Sequence, residues 1–308
     1  MLTFKILWKY FLRKGRIINL KNPRLFTEKI QWLKIYDCTP IKTRLADKIA
    51  VREWVKGKIG EKYLKKVYGI YEKYEDIDFS KLPEEFVIKT NHGCNMQLLV
   101  IEGGKPDKSQ KERFNNFLKI NYAYKSGYEM QYKDIKPLIF TEEYIKNTNN
   151  YFYPLQQFSL GFQEHRQSLR SPFYPQSQNS SNFSDYRPEL FEYLIFCFNG
   201  EPKLILFASG KRTDKICCTM FDTQWNNLHF NYGGYLHEAP VPVPENFDKM
   251  LDIARTLSKD FKFVRVDLHN VEGKIYFGEM TFTPASGYMK FCPRKYDRIL
   301  GGMLDLKN

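Results

Sequence analysis

The chain has 308 residues, of which 43% are hydrophobic and 16% aromatic, and it carries a formal net charge of +13. This composition provides a large hydrophobic core and excludes a chain that is disordered throughout. The excess of Lys and Arg favours an anionic partner, although a lysine-rich exposed surface explains it equally well. The positive charge is dispersed and no recognisable nucleic-acid-binding module is present, so a nucleic-acid binder is the least favoured class.

Cysteine spacing and apolar runs narrow the class of protein further. The six cysteines show neither C-x-x-C spacing nor clustering with histidine, which argues against a zinc site. We find no apolar run long enough to span a bilayer and no signal peptide, so the expected compartment is the cytoplasm.

Residues 2–14 mix bulky apolar residues with bases. We expect a helix packed on the protein body, with peripheral contact at the inner face of an anionic membrane as the alternative.

The chain is predicted to be helical from its start to about residue 80. Thr39-Pro40 is typical of a helix start, and Asp47 caps a further helix that ends at Gly60. Strands are then predicted at 86–90 and 97–101, with a turn at 91–95 between them. A helical pattern follows over 109–124, and a strand is predicted at 137–145.

The composition changes abruptly after Lys146: the next lysine is Lys203, in a chain that is otherwise rich in lysine. Residues 147–184 are rich in Asn, Gln, Ser, Tyr, Phe and Pro, which predicts an irregular insertion. Beyond it, Asn199-Gly200 between two apolar runs predicts a β-hairpin. A helix is predicted after Pro244, and a second hairpin with its turn at Gly273 follows.

The second hairpin places charged residues on one face of a sheet. Alternate strand residues share a face, so Arg265 points with Asp267, and Glu279 points with Thr281. Buried carboxylates need a cation, and two carboxylates with a hydroxyl suit Mg²⁺. A symmetric hairpin puts Asp267 opposite roughly Tyr276, with Glu279 displaced by about 10 Å. A shared metal then requires a shifted register, a bulge, or two Mg²⁺ ions bridged by phosphates. The alternative is a face on which Arg265 pairs with Asp267 or Glu279.

Three other places in the sequence have groups that suit a nucleotide. Lys89 ends a strand before Asn91-His92-Gly93, where a lysine and exposed N–H groups can hold phosphate, although most such turns are simple hairpins. Glu142-Glu143-Tyr144-Ile145 ends a strand between the two halves of the chain and could contact adenine and ribose. Its alternative is a solvated acidic strand end. Arg212 follows a turn and suits a transferring phosphoryl group, with an exposed basic turn as its alternative.

Together these segments resemble the TupA-like ATP-grasp family over nearly the whole chain except 147–188. The matching motifs are Phe26-Thr27-Glu28-Lys29-Ile30-Gln31-Trp32-Leu33-Lys34, Leu45-Ala46-Asp47-Lys48, Phe86-Val87-Ile88-Lys89-Thr90-Asn91-His92-Gly93, Phe196-Cys197-Phe198-Asn199-Gly200, Phe221-Asp222-Thr223-Gln224-Trp225-Asn226, Val266-Asp267, and Gly278-Glu279-Met280-Thr281-Phe282-Thr283-Pro284-Ala285-Ser286-Gly287.

The resemblance implies an α+β class and an ATP-grasp fold, in which two α+β lobes grip ATP and Mg²⁺. We accordingly expect a helical N-terminal region at 1–85, a small lobe at 86–146, the insertion at 147–188, and a large lobe with the metal site at 189–308. Family members are linked to bacterial surface polymers, including teichuronopeptide, capsule and lipopolysaccharide, and many are labelled glycosyltransferases. ATP-grasp enzymes typically activate a carboxylate as an acyl phosphate, which an amine then attacks.

The resemblance also implies roles for individual residues. Lys89 binds ATP phosphates, and Asn91-His92-Gly93 belongs to the flexible loop over them. Glu142 to Ile145 form the adenine-side hinge, and Arg212 stabilises the transferring group. Asp267 and Glu279 hold Mg²⁺, with Thr281 at a position where many ATP-grasp enzymes have Asn.

Three functions follow from these expectations. The first is an ATP- and Mg²⁺-dependent carboxylate–amine ligase that acts on a carboxylate-bearing sugar or polymer precursor. The second is a glycosyltransferase that uses a nucleotide sugar, but the sequence lacks a clear D-x-D metal motif, because Asp76-Ile77-Asp78 falls in a predicted loop. The third is a membrane-associated assembly protein that retains the scaffold without catalysis.

Overall fold

The structure is a computed structural model that describes residues 2–101, 103–104, 106–125, 127–146, 190–209, 217–232 and 241–307. Both the predicted insertion at 147–188 and Arg212 lie outside these ranges. The helices of the described residues are α1 (Leu2–Lys14), α2 (Phe26–Tyr36), α3 (Pro40–Ala46), α4 (Val51–Ile59), α5 (Lys108–Leu118), α6 (Tyr122–Lys125), α7 (Phe247–Ser258) and α8 (Lys295–Met303). Among them, none combines the length and the apolar character needed to cross a membrane.

The strands form two larger antiparallel sheets and one short pair. They are β1 (Val67–Tyr71), β2 (Phe86–Thr90), β3 (Gln97–Val100), β4 (Ile139–Glu143), β5 (Glu192–Phe198), β6 (Glu201–Ser209), β7 (Cys217–Asp222), β8 (Asn231–Tyr232), β9 (Phe263–Val271), β10 (Lys274–Thr281) and β11 (Phe291–Cys292). The small sheet has the order β1-β4-β2-β3, the large sheet has the order β10-β9-β5-β6-β7, and β8 pairs with β11. Helices combined with antiparallel sheets confirm the predicted α+β class.

Local signals in the sequence explain several element boundaries. The Asp47 carboxylate accepts hydrogen bonds from the backbone N–H groups of Ile49 and Ala50 just before α4. Gly60 ends that helix with a φ of 101°, a conformation that favours glycine. The turn between β5 and β6 has positive φ at both Asn199 and Gly200, as a tight hairpin requires. The predicted helix end at Gly60 and the predicted hairpin are confirmed, whereas Asp47 holds the turn before α4 and the helix itself begins after Ala50 without a side-chain cap.

One strand interrupts the region that was predicted to be helical up to about residue 80. Residues 67–71 form β1, which pairs antiparallel with β4. The segment reads Val-Tyr-Gly-Ile-Tyr, and β-branched and aromatic residues favour strands. The helical prediction is therefore wrong here, and the small sheet contains a strand that precedes residue 86.

The large sheet is buried on both faces, which fixes the position of its edge hairpin. Ile195 and Cys197 pack with α4 and α7, whereas Phe196 and Phe198 on the other face pack with α2 and α8. Alternate residues of β5 therefore fill two different cores, so the strand reads as a continuous apolar run. The β9–β10 hairpin lies at one edge of this sheet, and its polar face is the centre of the site described next.

Candidate active site

A bulge in the β9–β10 hairpin brings the two predicted metal carboxylates opposite each other. Tyr276 pairs with His269, and the register shifts between Phe277 and Glu279, so that Glu279 pairs with Asp267. The symmetric register, with Asp267 opposite roughly Tyr276, is therefore wrong. A bulge was one of the arrangements that allows a shared metal, and Gly278 provides it.

Gly278 is needed where the two strands approach most closely. A Cβ atom built on Gly278 would lie 2.9 Å from the carbonyl oxygen of Asp267. Real Cβ atoms essentially never approach backbone that closely, so a side chain would push the strands apart. Gly278 therefore allows the bulge that places Glu279 opposite Asp267, although it contributes no side chain.

Four polar side chains meet on the face of the hairpin. Arg265 pairs with Thr281 next to the Asp267–Glu279 pair. The Arg265 guanidinium donates to both oxygens of Asp267, at 2.6 and 2.5 Å, and to the Thr281 hydroxyl at 3.1 Å. It also lies 3.6 Å from Oε1 of Glu279, which accepts a hydrogen bond from Thr281 at 3.2 Å. The ion-paired alternative is therefore the arrangement present in this structure.

Burial and nearby charge act in opposite directions on the pKa values of two cations, Arg265 of the hairpin and Lys48, which lies before α4 and reaches the hairpin face. Burial alone would lower the pKa of Arg265, but the adjacent Asp267 charge and its hydrogen bonds raise that pKa well above its usual range. Burial likewise opposes the charged form of Lys48, and the Glu279 charge raises its pKa. Both groups therefore stay cationic beside the carboxylates.

Lys48 connects this hairpin face to the small sheet. Its Nζ lies 3.5 Å from Oε2 of Glu279 and donates to the carbonyl of Gly93, in the turn between β2 and β3. Its backbone N–H also donates to the carbonyl of Asn91 at 3.1 Å. The Leu45–Lys48 motif had no role in the sequence analysis, and here it joins the predicted metal face to the predicted phosphate loop.

The oxygen donors of Asp267, Glu279 and Thr281 fit a magnesium ion by their chemistry. Mg²⁺ prefers one or two carboxylates together with water and phosphate oxygens. Asp267 uses both of its oxygens for Arg265 in this structure, so a bound metal would share that carboxylate with the guanidinium. Within the described residues no group of three or more His, Cys, Asp or Glu could hold a metal. A metal here would consequently depend on ligands from its substrate or from solvent.

The second charged cluster lies on the small sheet, around Glu142. The Lys89 ammonium donates to Glu142 at 2.6 Å, and Nζ of Lys65 lies 3.9 Å from the same oxygen. Burial of Glu142 would raise its pKa, but the charges of Lys89, Lys65 and Arg52 and the Lys89 hydrogen bond lower it to about 2. The predicted phosphate lysine and the predicted hinge carboxylate are thus direct partners, a contact that the sequence did not suggest.

The Asn91-His92-Gly93 turn is buried rather than loosely exposed. The Asn91 side chain donates to the Lys136 carbonyl at 3.0 Å and accepts from the backbone N–H of Leu138 at 2.8 Å. Burial lowers the pKa of His92, whose Nε2 lies 3.2 Å from the carbonyl of Phe117. The Asn91 and His92 side chains therefore hold the turn from inside the protein, and the flexible phosphate loop stays a prediction.

The Gly93 position of this turn leaves no room for a side chain, because Tyr122 of α6 lies against it. A Cβ atom at this position would lie 2.6 Å from the Tyr122 ring. The backbone of Gly93 contributes its carbonyl to Lys48, and its N–H belongs to the turn that follows Lys89.

The predicted hinge lies at the end of β4 and reaches the hairpin. The Glu143 N–H donates to the Lys66 carbonyl at 2.8 Å, and its side chain accepts from the Lys66 N–H at 3.2 Å. Tyr144 is half-buried, and Ile145 packs with Val271 and Tyr276 near the hairpin turn. Residues 143–145 therefore connect the small sheet to the edge of the large one.

A buried polar network holds the loop that follows Thr281. The Thr283 hydroxyl donates to Glu129 at 2.6 Å and accepts from the Gln131 amide at 2.7 Å. Three residues later, the Lys34 ammonium donates to the carbonyl of Ser286 at 3.1 Å. Lys34 is only 2% exposed, and burial lowers its pKa to about 7.

This network includes residues of the Phe26–Lys34 motif, for which the sequence predicted no role. Gln31 and Lys34, from the Phe26–Lys34 motif of α2, both donate to the carbonyl of Ser286. Ala285 and Ser286 have φ values of 45° and 54°, in the left-handed region that is uncommon for residues other than glycine. Such backbone persists where surrounding contacts determine it. The two α2 side chains therefore help to fix the loop beside the candidate metal face.

Several solved structures resemble this chain at low identity. One is a D-alanine–D-alanine ligase from Bacillus anthracis complexed with ATP, with 14% identity, a TM-score of 0.36, and coverage of 78% of this chain and 54% of the ligase. Another is an L-amino acid ligase from Bacillus licheniformis, with 10% identity, a TM-score of 0.42, and coverage of 83% and 48%. The chain thus spans about half the length of these two proteins.

Comparison of the sequence with curated proteins and with protein-family models identifies the family of the chain. No curated protein matches the chain. The TupA-like ATP-grasp family model, by contrast, matches residues 28–158 and 179–305. These two segments make up most of the 308 residues and contain every charged side chain of the hairpin face and of the Glu142 cluster. The chain therefore belongs to the TupA-like ATP-grasp family.

Proposed function

We propose that this protein is an ATP- and Mg²⁺-dependent carboxylate–amine ligase. The main supporting observation is the pairing of Asp267 with Glu279 across the Gly278 bulge, with Arg265 and Thr281 on the same face. Family membership supports the use of ATP. We further propose that residues 86–146, together with β1, and residues 189–308 form the two lobes around the nucleotide.

In the proposed reaction, a substrate carboxylate oxygen attacks the γ-phosphorus of ATP. The bond from that phosphorus to the β–γ bridging oxygen breaks, which gives an acyl phosphate and ADP. An amine nitrogen then attacks the acyl carbon, the bond to the phosphate oxygen breaks, and the nitrogen loses a proton. The products are an amide, ADP and inorganic phosphate. Such steps rely mainly on positioning and on stabilisation of negative charge.

Each charged group has a proposed part in this reaction. Asp267 and Glu279, with Thr281, would hold Mg²⁺, which when bound neutralises and orients phosphate oxygens. Arg265 lies against both carboxylates and would contact the transferring phosphoryl group. Lys89 would bind ATP phosphates in exchange for part of its contact with Glu142. Arg212, outside the described residues, is proposed to stabilise the same transferring group.

The substrate is proposed to be a carboxylate-bearing sugar, or a precursor of a bacterial surface polysaccharide, together with an amine. A nucleotide-sugar glycosyltransferase is the less favoured alternative. In the Asp76-Ile77-Asp78 segment, which has D-x-D spacing, both aspartates are exposed and Ile77 is buried. There Asp78 accepts from the Ser80 N–H at 3.1 Å and pairs with Lys81 at 3.0 Å. These contacts give Asp78 a capping role instead of a metal-binding one.

An activity assay tests the proposal directly. The protein is incubated with ATP, Mg²⁺, a panel of uronic acids and a pool of amines, and ADP and phosphate release are measured. We expect release that needs both organic substrates and that Glu279→Gln abolishes. The matched control is Glu112→Gln, an exposed carboxylate on α5, which should retain full activity. Activity that survives Glu279→Gln, or turnover of a nucleotide sugar without ATP, would contradict the proposal.

A further inference from the structure

Helix α1 exposes an apolar stripe to solvent. Phe4, Trp8 and Leu12 are 69%, 54% and 64% exposed, and Phe11 is 41% exposed. With 3.6 residues per turn, these four side chains lie within an arc of about 100° on the helix surface. Large apolar side chains grouped in this way on a surface mark an interaction site, whereas single ones do not.

The opposite side of α1 attaches the helix to the protein body. Its Tyr10 is fully buried, and the Tyr10 hydroxyl lies 3.0 Å from the Thr27 hydroxyl of α2. Just beyond the helix, Arg16 pairs with Asp297 of α8 at 2.9 Å. These contacts use one face of the helix and hold it firmly, so the exposed stripe is presented on a fixed support.

The charge of α1 indicates the kind of surface that would cover the stripe. The sequence of the helix, LTFKILWKYFLRK, contains four bases and no acidic residue. Lys5 and Arg13 are exposed, and Lys5 lies next to the apolar arc by helical geometry. An apolar stripe with an adjacent basic edge is the pattern of a helix that lies in the interface of an anionic bilayer. An apolar protein groove would match the stripe, but it would gain nothing from the bases.

We propose that α1 docks this protein on the surface of an anionic lipid bilayer. Phe4, Trp8, Phe11 and Leu12 insert between the lipid headgroups, and the exposed Lys5 beside them contacts lipid phosphates and carboxylates. The helix has 13 residues and is therefore about 20 Å long, so it lies in the plane of the interface. Packing on the protein body and contact with a membrane thus use opposite faces of one helix: Tyr10 is fully buried, whereas the stripe is exposed.

Vesicle sedimentation with the full chain tests this proposal. Phosphatidylcholine vesicles with and without phosphatidylserine are mixed with the wild type, with Phe4→Ser/Trp8→Ser, and with the control Ile70→Ser/Val243→Ser. The control residues are also exposed, at 50% and 58%, but lie away from α1. We expect the wild type and the control to bind phosphatidylserine vesicles, and the α1 variant to bind at least about tenfold more weakly. Added salt should weaken binding by the wild type.

A second measurement reports on the stripe itself. Trp8 is the most exposed of the four tryptophans, so insertion should shift its fluorescence to shorter wavelength, and a Trp8→Phe variant should lose that shift. Equal binding by the α1 variant and the wild type would overturn the proposal. It would also fail if the stripe caused self-association in solution without lipid affinity. ATP turnover without vesicles should be unchanged in Phe4→Ser/Trp8→Ser, so this proposal and the ligase proposal fail independently.

Discussion

The two charged clusters of this protein each bury one carboxylate deeply but neutralise it differently. The Glu142 and Asp267 side chains are 8% and 9% exposed. Three cations, Lys89, Lys65 and Arg52, act on the single carboxylate of Glu142, and Arg52 also interacts with the charges of Glu61 and Glu53. On the hairpin, two carboxylates face two cations at contact distance, so the charges balance.

This difference suggests a division of work between the two sheets. Several cations held close together attract a polyanion such as the phosphate tail of a nucleotide. A balanced cluster with facing carboxylates can accept a divalent cation if its arginine turns toward an incoming phosphate. The Lys48 side chain contacts both the hairpin and the β2–β3 turn, so the two clusters are physically connected.

The largest effect on stability is expected from Asp267→Asn, which removes charge from the balanced cluster. The buried Arg265 guanidinium would lose its principal partner, and breaking a buried ion pair costs about 3–5 kcal/mol. Urea unfolding of the variant measures this cost. The control is Asp78→Asn, whose exposed pair with Lys81 should contribute less than about 1 kcal/mol. Similar losses for both variants would show that the hairpin cluster does not stabilise the fold.

A smaller loss, about 3 kcal/mol at pH 7, is expected from Glu142→Gln, because Lys89, the nearest cation to this carboxylate, is 20% exposed and can be solvated when its partner is removed. Its pKa is lowered from 4.5 to about 2 in the folded state, so its ionised form stabilises the protein above about pH 4.5. That contribution disappears as the pH falls from about 4.5 toward 2. The variant should therefore lose less stability than the wild type over this interval, as unfolding at a series of pH values would measure.

The control for this second prediction is Glu72→Gln, a carboxylate that is 68% exposed and paired with Lys136. Its substitution should change the free energy of unfolding by less than about 1 kcal/mol. A Glu142→Gln variant with the same acid sensitivity as the wild type would contradict the assigned role of the Lys89–Glu142 pair.

Sequence reasoning succeeded where a local signal determined the local structure. The Asn199-Gly200 hairpin, the helix end at Gly60 and the strand at 86–90 each follow from neighbouring residues. The predicted ATP-grasp family is confirmed, because its motifs are spread along the whole chain. The shared face of Arg265 and Asp267 also followed from strand periodicity alone.

It failed where distant segments decide the outcome. The Phe86–Thr90 strand was predicted, but its pairing with β4, which brings Lys89 to Glu142, depends on residues more than 50 positions away. The sequence of the Asn91-His92 turn gives no sign that Lys136, Leu138 and Phe117 bury it. A single glycine inside a strand also predicts a bulge only weakly, so the register of Glu279 could not be fixed in advance.

The mildest of the three changes, Gly278→Ala, tests the register without altering any charge. The added Cβ would meet the Asp267 carbonyl at 2.9 Å, and relief of that contact by backbone movement should cost about 1–3 kcal/mol of stability. Gly302→Ala is the control, because nothing lies within 4 Å of its Cβ in α8 and alanine favours helix. If the bulge aligns Asp267 with Glu279 for a metal, Gly278→Ala should weaken Mn²⁺ binding, measured by calorimetry with ATP present, more than its modest stability loss explains. Unchanged Mn²⁺ affinity in a destabilised Gly278→Ala protein would separate the bulge from the metal site and leave it a purely structural feature of the hairpin.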